Sequence, residues 1–376
     1  MVKSKFENVK ISGISMVVPD YVKSIDDDLE YFDNNPQKLA RTKKIVGFGT
    51  RYVAPENCTT VDLCEAAARK LIDDMKIDVN ELDAVVFVLQ KPDYSEPGSA
   101  CVVHGRLGLP KTCAAMDINH GCTGYVYGLW TVSSMIQSGA CRKVLMLAGD
   151  KPTSMSRTNR ITEPVFGDAG SATLIEYSEK GTPSYFDMGA DGTGYEAIII
   201  PSSGERLPVD KDILDLTVVD EKGTPWKLNR TYMNGMEVFN FTINEVPANM
   251  QRVMAYANVT ADSLDFAVLH QANKQIVETV ASKAGFLAEK YSAETFSIYG
   301  NQSTASIPGV ICHLLKDKVS NGKQRLMLSA FGIGLAWGAA IVELDHIYCS
   351  GIVARKFDHL RTREEEITYW INKIKG

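Results

Sequence analysis

Among its eight cysteines the chain has no C-x-x-C pair, and it has only six histidines. Without a spaced His/Cys cluster, neither a structural zinc site nor any other metal centre is expected. Positive charge is not in excess either: 40 Lys and Arg against 46 Asp and Glu give a net charge of −6. A general nucleic-acid binder would show a basic footprint, so nucleic acid is not an expected partner. Long apolar runs are missing too; "AVVFVL" at 84–89 is far too short to span a bilayer. The opening "MVKSKFENVKISGISMVVPD" lacks the apolar core of a secretory signal. A cytoplasmic address without a membrane span is therefore expected, with most cysteines free and buried. What is present is ordinary for a globular protein: 376 residues, 45% apolar and 23% charged. That suffices for two domains or one large duplicated one.

An internal repeat organises the chain. "LDAVVFVLQ" (82–90) recurs as "LDFAVLHQ" (264–271), "KVLMLAG" (143–149) as "QRLMLSAFG" (324–332), and "GSATLIE" (170–176) as "GAAIVEL" (338–344). Each is a short aliphatic run bounded by Gly, Asp or Asn, which predicts a strand buried on both faces. Helix-like segments such as "TVDLCEAAARKLIDDM" (60–75) and "QIVETVASKAGF" (275–286) alternate with them. Such alternation in both halves predicts a duplicated α/β fold. A Gly-, Pro- and charge-rich stretch from about 178 to 230 separates the halves and reads as a solvated insertion. Its "GADGTGYEA" lacks the strand and helix of a dinucleotide site. The end of the chain, "TREEEITYWINKIKG", pairs Thr362 with Glu365 as a capping box. Ile367, Trp370, Ile371 and Ile374 follow at helical spacing. These predict a terminal helix docked on the body or on a partner subunit.

The chemical signal lies in "DINHGCTGYVYGL" (117–129), where Cys122 stands between Gly121 and Gly124. A strand before it and a helix after it would place the sulfur at a helix start. There the free N–H groups and the macrodipole favour a thiolate. An effect of about 1–2 kcal/mol would draw a thiol of pKa about 8.5 towards neutrality. "FAVLHQAN" places His270 at the end of a buried strand, with Asn273 just beyond. "SIYGNQSTASIPG" places Asn301 at a Gly-led turn, the repeat counterpart of the Cys122 turn. The three residues should converge where the halves meet. His104, His120 and His313 have no such company and read as structural.

These residues carry a resemblance. The chain is similar to the thiolase superfamily, and within it to the β-ketoacyl-acyl-carrier-protein synthase III group, over about residues 8 to 345. The motifs are "GCTGYVYGL", "HQAN", "GNQSTASIP", "FGDAGSATL", "PDYSEPGSACVVHGRLG", "MNGMEVF" and "AFGIGLAWGAA". The resemblance implies a five-layer αβαβα fold of two pseudo-duplicated halves, 1–178 and 179–345, followed by an extension at 346–376. It also implies a homodimer, with acyl-CoA and a malonyl-carrier protein as substrates and no metal or cofactor. By the same resemblance Cys122 takes the acyl group, and the backbone N–H groups of Cys122 and Ile333 hold the oxyanion. His270 and Asn301 would bind the malonyl thioester carbonyl as carbon dioxide departs. Arg160 would lie by the CoA adenine, Phe331 would shape the pocket, and Glu96 would reach across the dimer. Asn273 and Lys274 would meet the substrate and its acidic carrier.

Some positions depart from the pattern. The adenine-stacking tryptophan near residue 30 is absent, and Lys274 and Gln275 follow "HQAN" where Leu-Arg is usual. With the C-terminal extension, which has no counterpart in short members of the group, these imply a specialised fatty-acid or secondary-metabolite enzyme, such as one of polyketide type, rather than the housekeeping initiator. An acyltransferase that passes the Cys122-bound group to an oxygen or nitrogen nucleophile, with His270 as general base, stays open. A papain-like peptidase shares the Cys–His–Asn order but lacks its cysteine motif, and an inactive partner subunit would have lost a triad member.

Overall fold

The aliphatic repeat segments form strands closed on both faces: every residue from Ala84 to Leu89 is buried, and so is every residue from Val144 to Asp150. The computed structural model describes residues 2–156, 162–221 and 223–376. In chain order, the strands of its two large sheets are β1 (Val2–Phe6), β2 (Val9–Pro19), β3 (Ala84–Leu89), β4 (Ala114–Asn119), β5 (Lys143–Asp150), β6 (Ala169–Tyr177), β7 (Ser184–Ala190), β8 (Phe266–Leu269), β9 (Lys323–Gly332), β10 (Ala336–Asp345) and β11 (Tyr348–Arg355). One sheet has the order β11-β2-β6-β5-β3-β4 and the other β1-β7-β10-β9-β8. In the first, β3 pairs in parallel with β5, and β5 antiparallel with β6. In the second, β8 pairs in parallel with β9, and β9 antiparallel with β10. The repeat in the sequence is thus a repeat in topology.

The helices explain why both sheets are apolar on both faces. Among them are α1 (Thr60–Met75), α2 (Ser99–Leu107), α3 (Gly124–Gln137), α4 (Gly235–Tyr256), α5 (Lys274–Lys283), α6 (Ser306–Val310) and the terminal α7 (Arg363–Lys375). Helix α1 covers β2 and β6 from outside, and α2 covers β3 and β4. Helix α3 touches β3, β5 and β6 on one side and β9 and β10 on the other, while α6 touches β2, β8 and β9. On the far side α4 covers β7, β9 and β10 and packs on α5. The order is α-β-α-β-α. A helix between two sheets must be apolar around most of its girth, and Tyr125, Val126, Leu129, Val132 and Ile136 of α3 are all buried. Each such side chain contributes about 1.5–3 kcal/mol. Gly128 lets α3 close on its sheet, since a Cβ there would lie 2.7 Å from Val88 and 2.8 Å from Met146.

Several expectations change. The halves exchange edge strands: β1 lies in the second half's sheet and β11 in the first half's, parallel to β2. The segment after 345 therefore opens as a sheet strand and only then becomes an extension. The stretch from 178 is no loop at first, because it carries β7, with Phe186, Asp187 and Met188 buried. Its strand signal is masked by Asp187, a buried carboxylate that accepts from Asn249 Nδ2 (2.9 Å) and faces Arg252 Nε (3.4 Å). Further on, residues 203–206 and 208–212 are exposed, in keeping with a surface insertion. A helix, Glu294–Tyr299, precedes the Asn301 turn, whereas strand β4 precedes its counterpart at Cys122. Helix α7 has its capping box, but no residue in it is buried. Trp370 meets Tyr94 edge-on at 6.1 Å, yet Ile374 is 82% exposed. Six cysteines are buried, Cys101 is exposed and Cys122 is half-buried, all as free thiols.

Candidate active site

Parallel strands of both sheets end at one place, as ligand sites in α/β sheets do. Cys122 follows β4 by three residues and precedes α3 by two. Thr123, at the helix start, makes no side-chain cap, and the first turn of α3 carries no acidic residue. The positive end of the helix is left uncompensated beside the sulfur. The backbone amides of Ile333 and of Cys122 itself bond towards Sγ. Gly332, at the end of β9, forms the facing wall: a Cβ there would stand 2.7 Å from Cys122 Cβ and 3.1 Å from Sγ. The expected pull towards neutrality does not win. Burial pushes the Cys122 thiol up to about 11, and the charge of Asp150 adds to that. Stabilisation of the sulfur is thus left to donors in the site.

His270 ends β8, held by its N–H to Ser329 O (2.8 Å), and the ring meets Phe331 edge-on at 5.4 Å. It is 2% exposed, and its Nδ1 is buried without a protein partner among the described residues. Burial pushes its pKa down to about 3, so the ring is neutral at physiological pH. Asn301 is fixed through its backbone: its N–H donates to Val165 O (2.8 Å) and its carbonyl accepts from Gly167 (3.1 Å). Its Oδ1 accepts from Ser303 N–H at 2.9 Å, which orients the amide and leaves Nδ2 as its outward donor.

A buried network that the sequence reading missed ties these parts together. Asp150, at the end of β5, accepts from Gln90 N (2.9 Å), Gln90 Nε2 (3.0 Å), Thr304 N (3.2 Å) and Thr304 Oγ1. Burial raises its pKa, opposed by these bonds. Gln90 Nε2 also donates to Ser303 Oγ (2.6 Å), and that oxygen is 3.9 Å from Cys122 Sγ. The repeat held a signal for Gln90, since it follows β3 as His270 follows β8. Asp150, closing an apolar run, had only its position.

The other expected residues fall as follows. Phe331 is 2% exposed and packs on His270, beside the site. Asn273 caps α5, its Oδ1 accepting from Ile276 N at 2.9 Å, so its side chain is committed to the helix. Lys274 is exposed and 3.9 Å from Glu278. Glu96 is exposed on the loop before α2 and lines a cleft of about 1510 Å³ with Tyr94, Pro97 and α7. Arg160 lies outside the described residues. The three histidines expected to be structural have partners of that kind: His120 pairs with Thr123 (2.8 Å), His104 with Pro110 O (3.1 Å) and His313 with Tyr299 (3.2 Å). Among the described residues no group of His, Cys, Asp and Glu is placed to hold a metal ion. Among those residues, too, no helix is long and apolar enough to cross a membrane.

Comparison with known proteins gives the same picture. The family described as 3-oxoacyl-[acyl-carrier-protein (ACP)] synthase III matches residues 116–192, which hold Cys122, and its C-terminal counterpart matches residues 254–344, which hold His270 and Asn301. A protein of Campylobacter jejuni subsp. jejuni named for 3-oxoacyl-[acyl-carrier-protein] synthase 3 is 34% identical over 353 residues, 93% of this chain and 98% of its own. The β-ketoacyl-[acyl-carrier-protein] synthase III of Bacillus pumilus is 33% identical, over 88% of this chain and 97% of its own. The crystal structure of a 3-oxoacyl-(acyl-carrier protein) synthase from Burkholderia xenovorans superimposes with a TM-score of 0.87 at 34% identity, covering 94% of this chain and 99% of that one. With a duplicated five-layer fold and similarity along nearly its whole length, the chain belongs to the 3-oxoacyl-[acyl-carrier-protein] synthase III family and is a condensing acyltransferase of the thiolase fold.

Proposed function

We propose that Cys122 is the nucleophile that takes an acyl group from an acyl-CoA. The sulfur attacks the thioester carbonyl, and the amides of Cys122 and Ile333 receive the negative charge that develops on its oxygen. The thiol proton passes to the departing CoA sulfur, so CoA leaves as its thiol and an acyl-enzyme remains. A malonyl thioester on an acyl-carrier protein then places its carbonyl oxygen against His270 and Asn301. Loss of carbon dioxide generates an enolate there, whose carbon attacks the acyl-enzyme and frees the Cys122 sulfur.

The neutrality of His270 carries this reading. A general base works best with a pKa near the operating pH, and His270, pushed down to about 3, is far below it. A neutral ring and an amide suit hydrogen bonding to a developing oxyanion. They do not suit removal of a proton from an incoming alcohol or amine, so condensation is favoured over transfer to oxygen or nitrogen. In the test, His270→Ala and Asn301→Ala are expected to acquire acyl mass from acyl-CoA as wild type does. Release of carbon dioxide from the malonyl donor should fall by roughly 10²–10³ in each. A wild-type protein that acylates an alcohol or amine but decarboxylates no malonyl thioester would overturn the reading.

The unit that does this is a homodimer in our reading. Strand β4 is an edge strand whose residues are all exposed or half-buried, Met116 among them at 38%. An unpaired edge of this kind is a template for pairing, and a two-fold axis would let β4 meet itself. The Glu96 loop leads into α2 beside that edge, which agrees with a reach into the partner's acyl pocket. Sedimentation at micromolar concentration should give twice the 41.3 kDa chain mass; a stable monomer would contradict it.

A further inference from the structure

Ser303 touches every member of the site. Its Oγ lies 3.9 Å from Cys122 Sγ, its N–H holds Asn301 Oδ1 at 2.9 Å, and its backbone hydrogen-bonds His270. It is 1% exposed and sits at φ 50°, in the left-handed region that favours glycine. Glycine would suit this backbone better than serine. Strain of this kind persists where the surroundings hold it in place, and it clusters at functional sites. The hydroxyl is the part that glycine would lack.

Its direction follows from the neighbours. Gln90 Nε2 spends its two hydrogens on Asp150 Oδ2 (3.0 Å) and Ser303 Oγ (2.6 Å). With a donor already entering its oxygen, the Ser303 hydroxyl hydrogen must leave another way. Asp150 and Cys122 Sγ are the acceptors in reach. Asp150 takes a bond from Ser303 at rest, but it also accepts four from Gln90 and Thr304, so it can release the Ser303 hydroxyl to a charged sulfur. Among the described residues, a thiolate at Cys122 has besides this the amides of Ile333 and of Cys122 itself. The titratable groups around the sulfur are Asp150 at the end of β5, His120 in its own turn and His270 beyond β8. Burial keeps both histidines towards their neutral form, and the charge of Asp150 opposes a thiolate. Neither histidine supplies a positive charge to offset that.

We propose that Ser303 is the positioning residue of this site: its hydroxyl, steered by Gln90 and Asp150, donates to the Cys122 sulfur as the thiolate forms, while its amide fixes the Asn301 side chain. The inference rests on Cys122 as the nucleophile but not on any particular acyl donor or acceptor.

The test reads the sulfur directly. Wild type, Ser303→Gly and Ser303→Ala react with an aromatic disulfide reagent near neutral pH, and modification of the Cys122 peptide is followed by mass spectrometry. Loss of a hydroxyl donor to a charged sulfur should raise its pKa by about one to two units. Part of the lost thiolate fraction is recovered as greater intrinsic reactivity, so the net slowing is roughly three- to tenfold. Exposed Cys101 is the internal control and should react at its wild-type rate. Ser303→Gly keeps the backbone conformation, so a folding defect confined to Ser303→Ala does not blunt the test. Rates at Cys122 within twofold of wild type in folded Ser303→Gly would overturn the proposal, as would an equal slowing of Cys101. A selective slowing at Cys122 in a protein that no acyl-CoA acylates would uphold Ser303 and overturn the acyl-CoA reading.

Discussion

Replacing Cys122 with alanine is expected to abolish acyl transfer from every acyl-CoA and to leave the other cysteines unmodified. The site offers its donors to one sulfur only: the start of α3, the amides of Ile333 and Cys122, and the Ser303 hydroxyl all face that position. Cys58, Cys64, Cys113, Cys141, Cys312 and Cys349 are buried, and burial pushes Cys58, Cys64 and Cys113 well above the usual thiol range. Deleting a covalent nucleophile costs at least roughly 10⁴ in rate, because the remaining donors have no bond-forming partner to serve. Decarboxylation of the malonyl donor should survive in Cys122→Ala, since His270 and Asn301 stay in place. Intact and peptide mass spectrometry with a panel of acyl-CoAs reads the first part, and release of carbon dioxide the second. Acyl mass that persists in Cys122→Ala would place the nucleophile elsewhere.

The second large effect comes from a single methyl group. In Gly332→Ala the new Cβ would sit 2.7 Å from Cys122 Cβ and 3.1 Å from Sγ, so the sulfur, the strand end or both must move. The backbone there has φ 152°, which side chains other than glycine's rarely adopt. Ile333 follows directly, so its amide shifts with the chain. Misplacement by about 1 Å costs on the order of 10² in rate when attack and oxyanion stabilisation depend on alignment. Acylation of Cys122 should slow by that factor or more, while acyl-CoA binding changes little. Gly139→Ala is the control: it imposes a positive φ (79°) on alanine, but nothing lies within 4 Å of its Cβ. It should lower stability by about 1–2 kcal/mol and leave acylation intact. Acylation of Gly332→Ala within tenfold of wild type would show that this wall does not hold the sulfur.

The sequence by itself determined the strands, their repeat and the three motif residues. Uninterrupted apolar runs such as Ala84–Leu89, rich in valine and too short for a buried helix, read as strands covered on both faces, and two copies of that pattern call for two similar sheets. The Cys122 turn was legible because a strand, glycines and a helix lie next to one another along the chain. Where a strand carried a buried charge, as at Asp187, the pattern broke and β7 read as loop. Only the tertiary structure decided which sheet each edge strand joins, since β1 pairs with β7 half a chain away and β11 with β2 across nearly the whole chain. It also brought Gln90, Asp150, Ser303 and Thr304 together from β3, β5 and the loop before α6, up to 214 positions apart, where no local pattern links them. The state of the two titrating groups was settled there as well. A helix dipole is a local property and pointed to a lowered Cys122 pKa. Burial depends on everything packed around the site, and it holds Cys122 as a thiol and His270 as a neutral ring.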